Sequence, residues 1–228
     1  MKILAVIPAR GGSKGIPKKN IYPLLGKPLL EYTLECAIKA DVCEDIVVST
    51  DSNEIMSIAR NYKQIIIVPR PSDISGDAAT TESALIHAIN YLKNLYNKQY
   101  DAVMTLQATS PLRKVETIKT FIESYERNYD KYDAMLTLHE NRIDHWVCDD
   151  NGKFERLYPN APRRRQERKP LYMENSCIYI TSVDSLLATK SVLGYRPNGF
   201  IISEEEGMDI NEPIDIKIIE GIMGGNNP

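Results

Sequence analysis

The sequence predicts an α/β protein: a mainly parallel sheet with helices on both faces. Three observations carry this expectation. Five short runs, residues 3–7, 45–50, 64–68, 102–106 and 133–138, are apolar along most of their length, as strands covered on both faces must be. Stretches with apolar residues at helical spacing lie between them. Polar, glycine- or proline-bearing segments follow the carboxyl ends of the runs, where open α/β sheets place their ligands.

The elements follow in order. Ile3-Leu4-Ala5-Val6-Ile7 is long enough for one buried strand. Leu30, Thr33, Leu34, Ala37 and Ile38 then share one helical face, and the second run follows at residue 45. Ile55, Ile58, Ala59 and Tyr62 line a second helix before the run at 64–68. Ala84, Leu85, Ala88, Ile89 and Leu92 line a third before 102–106, and Ile118, Phe121, Ile122 and Tyr125 a fourth before 133–138. The alternation then breaks. From residue 139 to 169 the chain is polar, and residues 156–169 hold six Arg or Lys against one Glu. This reads as an excursion from the core, a hairpin arm spanning about residues 139–174. Strand character returns at 175–181, and 213–223 reads as a closing helix. Residues 1–223 form one domain on this reading, with 224–228 a frayed tail.

Composition limits the function. With 228 residues and 43% hydrophobic content the chain builds a sizeable core. No apolar run approaches the ~20 residues of a membrane span, and the start lacks a secretory pattern. Cys36, Cys43, Cys148 and Cys177 are scattered without metal-ligand spacing, as expected of free thiols in a cytoplasmic protein. A net charge of −3 argues against broad nucleic-acid binding. Basic residues are concentrated locally instead.

The strongest concentration follows the first strand. Pro8-Ala9-Arg10-Gly11-Gly12-Ser13-Lys14-Gly15 leads to Lys18-Lys19-Asn20, and residues 1–30 contain six basic side chains and no carboxylate. Glycines let backbone N–H groups approach anionic oxygens, and the cations neutralise them, so a polyphosphate suits this loop. Its spacing is neither a P-loop nor the dinucleotide fingerprint. Asp51 and Ser52 follow the second strand as a ribose or metal contact or as a helix cap. Arg70, stiffened between prolines, could read a base or a phosphate, and Asp77 to Thr81 open the next helix. Gln107, Thr109 and Ser110 supply an amide and two hydroxyls after the fourth strand. One of Arg163, Arg164 and Arg165 could fork a carboxylate or phosphate. Asp209 and Asn211 share one side of an extended segment and suit Mg²⁺, or Mn²⁺, bound together with phosphates; a turn into the closing helix is the plain alternative.

Read together, Ala9 to Gly15, Lys19-Asn20, Val48-Ser49-Thr50-Asp51, Arg70-Pro71, Gln107 with Thr109 to Arg113, Asn175 with Ile178-Tyr179-Ile180, and Met208-Asp209-Ile210 resemble the acylneuraminate cytidylyltransferases, the CMP-sialic acid synthetases. The resemblance runs in order from about residue 3 to 223. It implies a Rossmann-like nucleotide-diphosphosugar-transferase fold whose protruding arm helps form a homodimer and reaches the partner's site, and an enzyme that makes a CMP-sugar from CTP and a nonulosonic acid with Mg²⁺, releasing pyrophosphate. By the same resemblance Arg10, Ser13, Lys14 and Lys19 handle the phosphates; Asn20, Arg70, Ala79 and Thr81 contact the nucleoside; Gln107 and Arg165 face the sugar acid; and Asp209 binds metal. Arg10, Lys19 and Asp209 are then the catalytic set. Two positions depart from the pattern: Asn211 replaces a second carboxylate, and Met173 stands where the family often has Arg. Two alternatives stay open: a cytidylyltransferase for another keto-acid sugar, of deoxy-octulosonate, legionaminic or pseudaminic type, and a catalytically silent nucleotide-binding homologue.

Overall fold

A computed structural model describes residues 1–13 and 15–225. The chain opens with β1 (Ile3–Pro8), a small hairpin of β2 (Pro23–Leu24) and β3 (Lys27–Pro28), and α1 (Leu29–Ala40). It continues through β4 (Asp45–Thr50), α2 (Asn53–Ala59), β5 (Ile65–Pro69), α3 (Thr81–Tyr96), β6 (Ala102–Leu106) and α4 (Val115–Arg127). Then come β7 (Ala134–Asn141), the arm strands β8 (Trp146–Cys148) and β9 (Phe154–Arg156), β10 (Leu171–Ser182), α5 (Val183–Thr189), β11 (Pro197–Ile201) and α6 (Pro213–Gly224).

Seven strands form one sheet in the order β11-β7-β10-β6-β1-β4-β5. β6, β1, β4 and β5 are parallel, with Val6 opposite both Val47 and Thr105. β1 is central, and its side chains alternate between two cores. Ile3, Ala5 and Ile7 pack with Leu30 and Leu34 of α1, Ile55 of α2 and Phe121 of α4, whereas Leu4 and Val6 pack with Leu85, Ala88 and Leu92 of α3. Each of these β1 residues is at most 1% exposed, which explains the uninterrupted apolar run.

A third, smaller core joins Ile16, Leu24 and Leu29 to Ile210 and to Ile216 and Ile219 of α6. This cluster draws the segment before α6 against the loop after β1. The approach is close at Gly15, where a Cβ would lie 2.6 Å from the Asn211 carbonyl oxygen. Glu212 and Asp215 form a capping box at the α6 start, so the chain turns sharply there.

Several features depart from the sequence expectation. α2 ends at Ala59, so Tyr62, expected on its face, lies in the turn beyond it, and the β2–β3 hairpin was not expected. β10 runs antiparallel to both β6 and β7, so the parallel order is interrupted on that side. α5 and β11, between residues 182 and 202, were not anticipated. β11 reads Pro-Asn-Gly-Phe-Ile, too short and mixed for a strand signal, yet it pairs parallel with β7 at the sheet edge. Its Gly199 sits against Leu138, whose Cδ1 would be 2.5 Å from an added Cβ. The excursion is anchored by the paired outer halves of β7 and β10, Asn141 opposite Leu171, and carries the hairpin β8–β9. The four cysteines are free thiols, and no helix among the described residues is long and apolar enough to cross a membrane.

Candidate active site

A cavity of about 430 Å³ opens at the carboxyl ends of β1 and β6. Arg10, Ser13, Lys19 and Asn20 enter it from the loop after β1, and Arg70 enters after β5. Ala79 and Thr81 line it at the start of α3, Gln107 after β6, and Asp209 and Asn211 before α6. Lys14 lies outside the described residues. Arg165 does not line this cavity: it is exposed on a single 3-10 turn of the arm, next to Arg142.

The loop after β1 is held from three directions. Asp51 accepts the Gly11 N–H at 2.8 Å, while Ser52 caps α2 by accepting from the Ile55 N–H. The Asp51 carboxylate therefore clamps the loop, and the capping role falls to its neighbour. The Asn20 amide donates to the Arg10 carbonyl at 2.9 Å. Arg10 spans the cavity mouth, donating to the Gly76 carbonyl at 3.1 Å and to Asp77 Oδ1 at 2.9 Å. An anionic ligand would compete with Asp77 for this guanidinium.

Lys19 points to the opposite wall. Its Nζ donates to the Ile210 carbonyl at 2.6 Å and to Asn211 Oδ1 at 3.3 Å. Burial lowers its pKa from the ordinary lysine value; Asp209 and Asp215 oppose that shift and Arg10 adds to it. Asn211 Nδ2 in turn donates to Asp209 Oδ2 at 2.9 Å. The amide orientation is fixed by both neighbours, since the reverse would set NH₂ against the ammonium and oxygen against the carboxylate. Asp209 Oδ1 is buried without a hydrogen-bond partner, an orphaned acceptor that a cation would satisfy. Asp215 and Asp51 are both engaged by backbone N–H groups.

Arg70 is only 8% exposed. Its guanidinium donates to Ser49 Oγ at 3.2 Å and to the Ser49 carbonyl at 2.7 Å, which fixes its direction. Burial pulls its pKa below the usual arginine value, against the pull of Asp51. Thr80 caps α3 by accepting from Ser83 N–H, leaving the N-terminus of a 16-residue helix at the cavity wall. On the β6 side, buried Arg113 donates to the carbonyls of Gln107 at 2.6 Å and Cys177 at 2.8 Å, and to Thr33 Oγ1 at 3.2 Å. It pins the Gln107 backbone between α1 and β10. Ser176 of β10 also lines the cavity, and no feature of the sequence had marked it.

The family model described as cytidylyltransferase matches residues 4–203. The CMP-N,N'-diacetyllegionaminic acid synthase of Legionella pneumophila is 33% identical, over 98% of this chain and 97% of that protein. A pseudaminic acid cytidylyltransferase of Campylobacter jejuni is 30% identical, over 95% of this chain and 94% of that protein. The N-acylneuraminate cytidylyltransferase of Escherichia coli is 28% identical over 99% of this chain, which spans 53% of that longer protein. In fold, the chain superposes on a CMP:2-keto-3-deoxy-manno-octonic acid synthetase solved in complex with CTP, with a TM-score of 0.68, 16% identity and 99% of each chain covered. A basic glycine loop, a buried arginine and a carboxylate with one unpaired oxygen thus meet at the strand ends of a chain matched along most of its length, and the chain belongs to the cytidylyltransferase family of nucleotidyltransferases.

Proposed function

We propose that this enzyme transfers CMP from CTP to the anomeric hydroxyl of a nonulosonic acid and releases pyrophosphate. The observation that carries the proposal is the convergence of Arg10, Ser13 and Lys19 with Asp209 in one cavity, between Arg70 at one end and Gln107 at the other. Relatives named for legionaminic, pseudaminic and N-acylneuraminic acids support the substrate class.

The nucleoside lies at the Arg70 end, where Asn20, Ala79 and Thr81 shape a small pocket for a pyrimidine. The triphosphate lies across the glycine loop, and Arg10 leaves Asp77 for the phosphate oxygens. Gln107 orients the acceptor so that its anomeric oxygen faces the α-phosphorus in line with the leaving pyrophosphate. Lys19, held in place before substrate arrives, meets the charge that builds on the phosphate oxygens. Asp209 is the residue that would hold a divalent cation, Mg²⁺ or Mn²⁺. Such an ion supplies positive charge at the phosphates and needs only one or two protein carboxylates. Asn211, expected as a second ligand, divides its amide between Lys19 and Asp209, and we assign it to positioning both.

Arg165 reaches a sugar carboxylate only from another copy of the chain. Ile143, Trp146 and Phe154 stand exposed on the arm and offer an apolar surface for a homodimer. The nucleotide assignment is tested by pyrophosphate release with CTP, UTP, ATP and GTP. CTP supports turnover and the purine triphosphates do not; equal rates with ATP would overturn it.

A further inference from the structure

Ser176 combines three features that the reading above does not use. Its φ is +59°, a left-handed backbone that serine rarely adopts, and no helix end requires it there as helix ends do at Asp41, Asn97 and Lys190. It sits in an irregularity of β10, where the register with β7 shifts between Glu174 and Tyr179. Such bulges re-aim a side chain out of the regular pleat. And it lines the active-site cavity.

Sheet order says which end of the cavity it occupies. β10 pairs with β6, Ile178 opposite Leu106, which brings Ser176 alongside the Gln107 end of that strand. Arg70 follows β5 at the far edge of the sheet. The two backbones stand four strand spacings apart, about 19 Å at ~4.8 Å per strand. Ser176 therefore faces the acceptor side and not the nucleoside.

Hydrogen-bond direction says what it presents there. The Tyr179 phenol donates its only hydrogen to the Glu174 carboxylate, which has none to give back. Ser176 Oγ lies 3.1 Å from the same phenol oxygen. With the phenol hydrogen committed, the serine hydroxyl is the donor in that contact. With its hydrogen given to Tyr179, Ser176 Oγ has only lone pairs left to offer a ligand. Phosphate and carboxylate oxygens are repelled at such a point, and a hydroxyl or amide N–H is received.

We infer that Ser176 is a specificity residue for the acceptor: its hydroxyl oxygen, oriented by Tyr179 and Glu174, accepts a hydrogen bond from a hydroxyl or N-acyl N–H of the nonulosonic acid. The inference rests on the proposed reaction, and the test separates the two. N-acetylneuraminate, diacetyllegionaminate and pseudaminate are each supplied with CTP, and kinetics are followed on whichever the wild-type enzyme uses. Ser176→Gly and Ser176→Ala both remove the hydroxyl, but glycine relaxes the left-handed backbone and alanine keeps its Cβ there. Both variants should raise the KM for the sugar acid by about tenfold, the scale of one lost hydrogen bond. The KM for CTP should stay within about twofold, and the Tm of the glycine variant should not fall. An unchanged sugar KM in both variants overturns the inference alone. An effect in only one variant also overturns it, because backbone shape would then be the cause. Absence of wild-type turnover on every acid overturns the proposed reaction, and this inference with it.

Discussion

Lys19 concentrates the catalytic argument in one side chain. It is half-buried, wedged between the Ile210 carbonyl and Asn211, and its ammonium is desolvated while Asp209 and Asp215 hold the charge in place. A cation fixed before substrate arrives costs no reorganisation when phosphate charge builds. Lys19→Ala should therefore lower kcat by roughly 10²–10³-fold in pyrophosphate-release assays, with a small change in Tm. Near wild-type turnover would reduce Lys19 to a strut for the segment before α6. That Arg10, Ser13 and Lys19 would gather at one cavity was legible in the sequence because type and spacing carry it: three glycines, interleaved cations and no acid before Glu31. The cavity position of Ser176 was not, because it depends on a left-handed backbone at an irregularity of β10 that no local residue pattern announces.

Elements were legible where periodicity was strong and failed where tertiary pairing supplied what the local sequence lacked. β1, β4 and β6 are buried on both faces and appear as apolar runs within a residue of their ends. β11 draws its strand character from β7 and from the Asp133 carboxylate at the head of that strand. Asp133 accepts from the Arg196 N–H at 2.7 Å, from the Tyr195 N–H at 3.2 Å and from the Ser185 hydroxyl at 2.8 Å, so it fastens both α5 and β11 to the sheet. Burial pushes its pKa up, but these hydrogen bonds outweigh it, and the carboxyl titrates below the ordinary aspartate range. A depressed folded-state pKa contributes stability that is fully present above the unfolded value and is lost as pH falls through the folded one. Stability should accordingly decline from about pH 4 downward, near the unfolded aspartate value. Asp133→Asn should cost about 2 kcal/mol at neutral pH, the scale of hydrogen bonds to a charged group, and flatten that acid limb. Urea titrations of both proteins at pH 7 and pH 3 measure the two effects together, and an unchanged acid limb would remove Asp133 as its source.

The chain as a whole is a sheet that gathers its cavity-lining loops at one side, with an arm that leaves it. Trp146 is 54% and Phe154 66% exposed, although neither belongs to the active-site cavity. If the arm pairs two copies, sedimentation equilibrium should report a dimer, and Trp146→Glu with Phe154→Glu should shift it toward monomer. Turnover should fall with it, because Arg165 would no longer reach a second site. A wild-type monomer that turns over at full rate would leave Arg165 as a surface arginine. The reaction itself is tested most directly by its product. The wild-type enzyme is incubated with CTP, Mg²⁺ and each of N-acetylneuraminate, diacetyllegionaminate, pseudaminate and 2-keto-3-deoxy-octonate, and the mixture is resolved by mass spectrometry. A CMP-sugar should form from at least one acid, in equal amount to pyrophosphate, and be absent when EDTA removes the metal. CTP left intact with every acid, or cytidylyl transfer only to a sugar-alcohol phosphate that lacks a carboxylate, would contradict the proposed reaction.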